Sequence, residues 1–331
     1  MATSVSVGVM FRREQPPEDL FAHARRIEAA GFDELWVVED CFYTGGIAQA
    51  ATALAATSRI AVGLGIAPAV ARNASFLAME FATLARMHPG RFHGGIGHGV
   101  AEWMEQIGAK PASWLAALEE TTVTVRALLR GDEVNVAGQT VRLRDVRLEH
   151  VPDPPPLISL GVRGAKSLAL AGRHADGTIL AEASAPAYVA WARERIEEGM
   201  RAAGNTQPHR LTTYALCAVS QTDPDAARAA VRPAMAEMIA GGESPQIAPL
   251  PYGAELSELA AGGADRLARE LPDAWLDDLT ITGTPGEGAS AIARLHAAGA
   301  DAVILVPPAT VDPGQWLDDV RQMLPLVREK A

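Results

Sequence analysis

Ala29-Ala30-Gly31-Phe32-Asp33-Glu34-Leu35-Trp36-Val37-Val38 holds a complete helix-to-strand junction. The alanines finish a helix, and Gly31 supplies the left-handed residue that ends it. Asp33 turns the chain, and the mostly apolar run after it suits a strand buried on both faces. The same phrase returns at Ala297-Ala298-Gly299-Ala300-Asp301, before Ala302-Val303-Ile304-Leu305-Val306. A looser copy is Leu170-Ala171-Gly172, with Asp176-Gly177-Thr178-Ile179-Leu180 behind it. Such junctions spread from one end of the chain to the other predict one repeated βα architecture.

Working outward, apolar runs start near residues 5, 35, 60, 92, 157, 178, 211 and 302, and a helical pattern follows each. Eight βα units predict an α/β fold, a (β/α)8 TIM-like barrel in a single domain over 1–331, and 331 residues suit that fold. The repeat is interrupted near 98–114, 132–150 and 241–280, which read as insertions. Glu133 to Glu149 alternates apolar and polar residues around Gly138, as a β-hairpin does. Gly241 to Leu271 reads as a loop with a short helix, and Gly314 to Arg328 as one final helix. A doubly wound sheet would call for a G-x-G-x-x-G turn. Gly95-Ile96-Gly97-His98-Gly99-Val100 does not supply it.

With 48% hydrophobic and 21% charged residues, the chain can bury a large core. Lys plus Arg is 29 against 40 for Asp plus Glu, a net charge of −11. That sign argues against a nucleic-acid partner and against an anionic membrane surface. The lysines are only Lys110, Lys166 and Lys330. Two cysteines, Cys41 and Cys217, cannot build a disulfide framework or a cysteine zinc site. H-E-x-x-H and G-x-S-x-G are both absent, so no metal and no nucleophile elbow are expected. Arg12 and Arg13 follow the first apolar run instead of preceding it, the wrong order for a signal peptide. The near-apolar run Ile60 to Ala71 is too short to span a bilayer. A soluble, cytoplasmic protein is expected.

In a barrel of this kind, chemistry sits where the strands end. Glu39-Asp40 puts adjacent acids at one such mouth, able to exchange protons or to cap the next helix. Gly63-Leu64-Gly65-Ile66 offers either close backbone approach to a ligand or a tight corner. Gly94-Gly95-Ile96-Gly97-His98-Gly99 carries the same signal more strongly, and His98 is a candidate proton donor. Gly161-Val162-Arg163-Gly164-Ala165-Lys166-Ser167 joins a strand to a helix start bearing cations, which suits a phosphate. It lacks the spacing of a Walker A loop. Ala181 to Ser184 also falls at a mouth, without a motif.

Through these stretches the chain resembles the bacterial luciferase-like superfamily, and within it the actinobacterial coenzyme F420-dependent oxidoreductases. The likeness rests on Ala30 to Asp40, on Val62 to Ile66 with Arg72, on His88-Pro89-Gly90-Arg91-Phe92 leading to Gly97, and on Gly161 to Gly172 with Ala175-Asp176-Gly177. It implies a homodimer that moves a hydride between F420 and a small organic substrate. Gly65-Ile66, often a non-proline cis peptide in that family, would support the deazaflavin ring. Gly97, His98 and Gly99 would border the cofactor, and the amides of Gly161 to Ser167 would hold its phosphate. Asp40, Glu39 and His98 are the candidates for proton transfer. An FMN-dependent monooxygenase is the alternative within the superfamily, and a barrel that binds without catalysis is a third reading. The sugar-phosphate dehydrogenase branch has Asp-His where this chain has Glu39-Asp40, and Glu where it has Val100. Glucose 6-phosphate is therefore not the expected substrate.

Overall fold

The computed structural model describes residues 5–241 and 244–330. The strands, in chain order, are β1 (Ser6–Phe11), β2 (Glu34–Val37), β3 (Ala61–Pro68), β4 (Phe92–Gly97), β5 (Val134–Ala137), β6 (Arg142–Val146), β7 (Leu157–Gly161), β8 (Gly177–Leu180), β9 (Arg210–Val219), β10 (Ile281–Gly283) and β11 (Ala302–Val306). Eight of them form a parallel ring in the order β9-β11-β1-β2-β3-β4-β7-β8, closed by β8 pairing with β9. This is the TIM-like barrel expected from the repeat. β5 and β6 form the antiparallel hairpin outside it. β10 adds to the far end of β9, opposite Cys217 to Val219.

The recurring junction has a mechanical meaning. Asp33 donates its backbone N–H to Val7 O (2.9 Å), while its Oδ2 accepts from Val7 N (2.9 Å). Asp176 grips Ile158 in the same way, at 2.8 and 3.0 Å, and Asp301 grips Leu211 at 2.8 and 2.7 Å. The carbonyl of each aspartate accepts from the strand on its other side: Ala61 N for Asp33, Arg210 N for Asp176 and Ser6 N for Asp301. The repeated aspartate thus ties three neighbouring strands at the lower rim and satisfies backbone groups left open where strands begin.

Helices α1 (Leu20–Ala30), α2 (Gly46–Ala56), α3 (Ala74–Met87), α4 (Ala101–Gln106), α5 (Trp114–Leu129) and α6 (Ala165–His174) cover the first strands of the ring. Gly31 ends α1 at φ 89°, as its place in the junction requires. Trp36, Phe11, Phe81 and Tyr188 are among the largest fully buried side chains. Glu34 is buried in the barrel's lower half, where it accepts from Trp36 Nε1 (2.8 Å) and pairs with Arg210.

Two expectations need correction. The segment read as a loop with a short helix holds two helices, Gly253–Ala261 and Ala264–Glu270, and a third follows at Asp273–Leu279. Gly262-Gly263 reads as loop sequence, yet it is a corner between two amphipathic turns that bury Leu256, Ala260 and Leu267. Residues 242 and 243 of this insertion lie outside the described residues. The final helix is two, Pro313–Val320 and Met323–Lys330. Pro325 has no N–H to bond the carbonyl of Arg321, and the helix breaks at Arg321-Gln322 and restarts with Pro325 in its first turn, where a missing N–H costs least.

Candidate active site

A cavity of about 540 Å³ opens at the carboxyl ends of the ring strands. Its wall draws on the loops after β1, β2, β3, β4, β7 and β8, and on Met238 ahead of the last insertion. Of the residues singled out from sequence, Glu39, Asp40, Gly65, Ile66, His98, Gly99, Gly161, Val162, Arg163, Gly164 and Ser167 line it. Gly97, Ala165 and Lys166 do not, and Ala165 and Lys166 are exposed.

The Gly65–Ile66 peptide is cis and falls where the register of β3 against β4 shifts, between Leu64 and Ala67. The glycines around it make room for the barrel's own side chains. A Cβ on Gly97 would lie 2.8 Å from Ile66, and one on Gly161 2.5 Å from it. A Cβ on Gly94 would lie 2.7 Å from Phe81. Close packing thus explains much of the glycine signal in β4. Across the barrel, the Tyr214 hydroxyl presses against Gly65, where a Cβ would sit 1.8 Å from the oxygen. Tyr214 is 5% exposed, stands edge-on to Trp36 at 5.7 Å, and its hydroxyl has no partner among the described residues. Burial, with Glu182 and Glu34 nearby, pushes the phenol far above its ordinary pKa, so it keeps its proton.

At one end of the cavity, helix α6 begins behind Gly164, which offers no side-chain cap. The first intrahelical bond is Leu168 N to Gly164 O at 2.9 Å, so the amides of Ala165, Lys166 and Ser167 have no helical acceptor. Arg163 stands exposed beside them, without an ion partner among the described residues, and its carbonyl accepts from Tyr188 (2.9 Å). Ser167 Oγ lies 3.2 Å from His98 Nε2. Burial holds the His98 imidazole below its ordinary pKa, which favours the neutral ring. Unsatisfied amides, a cation and a hydroxyl at a helix N-terminus are groups that suit an anion, and this end of the cavity is called the anion seat.

The acids at the β2 mouth are already engaged. Glu39 accepts from Gly46 N (2.9 Å) at the start of α2 and pairs with Arg72 at 2.8 Å. Asp40 pairs with Arg13 at 2.9 Å. Arg13 also bonds Glu14 (3.0 Å) and stacks on Tyr43 and Trp103, 5.0 and 5.8 Å from their ring centres. Against the cost of burial, Arg12 and Arg13 hold the Glu14 carboxyl down to about 2. Glu182 was not singled out from sequence, since Ala181 to Ser184 carries no motif. It lines the cavity, and burial raises its pKa. Tyr214 was missed as well, because an inward-facing residue inside a strand resembles any other core aromatic.

Among the described residues, no group of three or more His, Cys, Asp or Glu could hold a metal ion, and no helix is long and apolar enough to cross a membrane.

The chain is similar to known proteins over most of its length. The profile of a family described as luciferase-like monooxygenase matches residues 1–302. A 5,10-methylenetetrahydromethanopterin reductase from Methanolobus tindarius is 27% identical over 315 residues, covering 92% of this chain and 94% of its own. The coenzyme F420-dependent tetrahydromethanopterin reductase of Methanopyrus kandleri superposes with a TM-score of 0.82 at 20% identity, over 98% of this chain and all of its own (100%). An F420-dependent secondary alcohol dehydrogenase, solved with an F420-acetone adduct, superposes at 0.81 with 22% identity and the same coverage, 98% and 100%.

Proposed function

The chain belongs to the luciferase-like monooxygenase family, and from that footing we propose that it is an oxidoreductase that moves a hydride between coenzyme F420 and a small organic substrate. The observation that carries this reading is the anion seat at the start of α6, opening into the same cavity as the Gly65–Ile66 floor. Full-length similarity to a methanopterin reductase supports it. The residues fit such a group. The amides of Gly164 to Ser167, with Arg163, would take the cofactor phosphate, and Lys166 would add long-range attraction from outside. Gly65, Ile66 and Gly161 would back the ring, while Gly97 and Gly99 shape the strand and loop around it. When bound, the cofactor supplies or accepts the hydride, and the protein contributes position and electrostatics.

His98, neutral and fixed against Ser167, orients that hydroxyl at the anion end. Glu39 and Asp40 order the mouth through Arg72 and Arg13. The enzyme acts as a homodimer. Phe76, Met79 and Met87 are exposed apolar side chains on α3, at 61%, 47% and 67% exposure, and α5, which packs against α3, exposes Val123. Several large apolar side chains exposed on one helix and its packed neighbour suit an interface with a second copy. Two unpaired cysteines, Cys41 and Cys217, suit a cytoplasmic location.

Fluorescence titration of the purified chain with oxidised F420, beside absorbance titration with FMN, tests the reading. Tight F420 binding and weak FMN binding are expected. Arg163→Ala should weaken F420 binding about 10- to 100-fold, the worth of a charge-assisted bond. Tight FMN binding without F420 binding would instead mean a flavin monooxygenase.

A further inference from the structure

Seven charged side chains line the cavity, and five are neutralised by one another or by Arg72: Arg12, Arg13, Glu14, Glu39 and Asp40. Arg163 is committed to the anion end. Glu182 remains, with no ion pair and no hydrogen bond to any other residue's side chain among the described residues; its carboxyl meets only its own backbone N–H. Its backbone is nonetheless held firmly. Buried Gln246 donates to the carbonyls of Ala181 (3.4 Å) and Glu182, and Ser184 Oγ donates to Ala181 O at 2.6 Å. The next residue, Ala183, takes φ 63°, a left-handed conformation unfavourable to any residue with a Cβ. A fixed backbone thus carries a carboxyl that no other side chain of the described residues engages and that opens into the cavity.

We propose that Glu182 is a catalytic acid and base of this cavity, and that the substrate is an uncharged carbonyl compound or the alcohol related to it. The proposal rests on the F420 reading above. A substrate carboxylate or phosphate would find no available cation here apart from Arg163, whereas a neutral carbonyl oxygen can take a hydrogen bond from the Glu182 carboxyl. Burial keeps that carboxyl protonated to higher pH than an ordinary glutamate. The groups facing it are Tyr214, which keeps its own proton, and the charges of Arg12, Arg13 and Asp40. In the reducing direction the carbonyl carbon receives the hydride and its π bond opens. The oxygen receives the proton of Glu182, and the alcohol leaves. The carboxylate regains a proton from water at the mouth, and the proton freed as the cofactor is oxidised passes to solvent. The reverse reaction uses the carboxylate as base.

Glu182→Gln keeps the shape and removes the titration. The first test needs no cofactor: thermal unfolding of the apoprotein across pH. With a folded-state pKa above the unfolded value, the protonated form favours folding, and that advantage is lost as pH rises through the folded pKa. Wild type and Glu182→Gln should therefore melt alike near pH 4.5, with the variant melting higher at pH 8. A difference that does not vary with pH overturns the proposal. The second test offers reduced F420 with cyclohexanone, cyclohexenone, benzaldehyde and levulinate. Wild type should oxidise the cofactor with at least one neutral probe and not with levulinate. For that probe, Glu182→Gln should lose at least about 100-fold in kcat, together with the basic limb of the pH profile, while its F420 affinity stays unchanged. Turnover of levulinate alone or of no probe, or a variant with wild-type kcat and profile, overturns the proposal. A wild type that binds no F420 overturns the reading beneath it. One that binds F420 but fails the other tests overturns this inference alone.

Discussion

At the scale of single residues, the cavity floor is set by what is missing. Gly65 has no Cβ because Tyr214 Oη occupies the place of one, and Trp36 closes the other side at 3.1 Å. Gly65→Ala forces the buried phenol aside, an overpacking that costs about 1–3 kcal/mol in chemical unfolding. Tyr214→Phe removes an oxygen without a partner and should be close to neutral. Combined with Gly65→Ala, it should recover a measurable part of the loss in a double-mutant cycle. Full additivity of the two changes would mean that the contact does not carry the effect. Glycines of this kind are visible in the sequence, but their purpose is not. The run at Gly94 to Gly99 signals close approach, yet the approaching atoms at Gly94 and Gly97 belong to Phe81 and Ile66. Glu182 and Tyr214 leave no local mark, because what singles them out is their place on the cavity wall and, for Tyr214, a hydroxyl without a partner among the described residues.

At the scale of elements, the α-to-β junction is the most legible part of the chain. It is local: a helix end, a left-handed glycine, an aspartate and a strand lie within ten consecutive residues. Its aspartate does long-range work that the phrase alone does not reveal. Asp301 accepts from Leu211 N at 2.7 Å and from Arg193 at 2.9 Å. Asp301→Ala leaves both donors without that acceptor and should cost about 1–3 kcal/mol by urea unfolding. F420 affinity should stay at the wild-type value, since the lower rim lies away from the cavity. Loss of affinity without loss of stability would contradict this division. Less legible are the helices between 253 and 279. They are short, the first two meet at Gly262-Gly263, and they bury their apolar residues by packing on one another and on the helix Pro224–Ile239. The break before Met323 is legible in hindsight from Pro325 alone.

At the scale of the whole molecule, the net charge of −11 is uneven in its consequences. Most arginines at the cavity mouth are spent on neighbouring carboxylates, and the exception, Arg163, stands at the anion seat. The second global feature is the set of exposed apolar side chains on α3. Sedimentation should give the mass of two chains, and Phe76→Asp should give one chain that still binds F420. A wild type that sediments as one chain removes the dimer from the account. The aspartate stitches are uneven as well. They run along β7, β8, β9, β11, β1, β2 and β3, and none of them touches β4. The ring therefore has a seam. β4 is its glycine-rich stave, and it stands against the Gly65–Ile66 bulge on one side and against the Gly161 strand on the other. At that seam an arginine stands where the other junctions use an aspartate: Arg91, just ahead of β4, accepts from Val62 N through its carbonyl at 2.7 Å and donates to Ile60 O at 3.1 Å, so the side chain that closes the lower rim behind the cofactor's wall is a cation and not an acid.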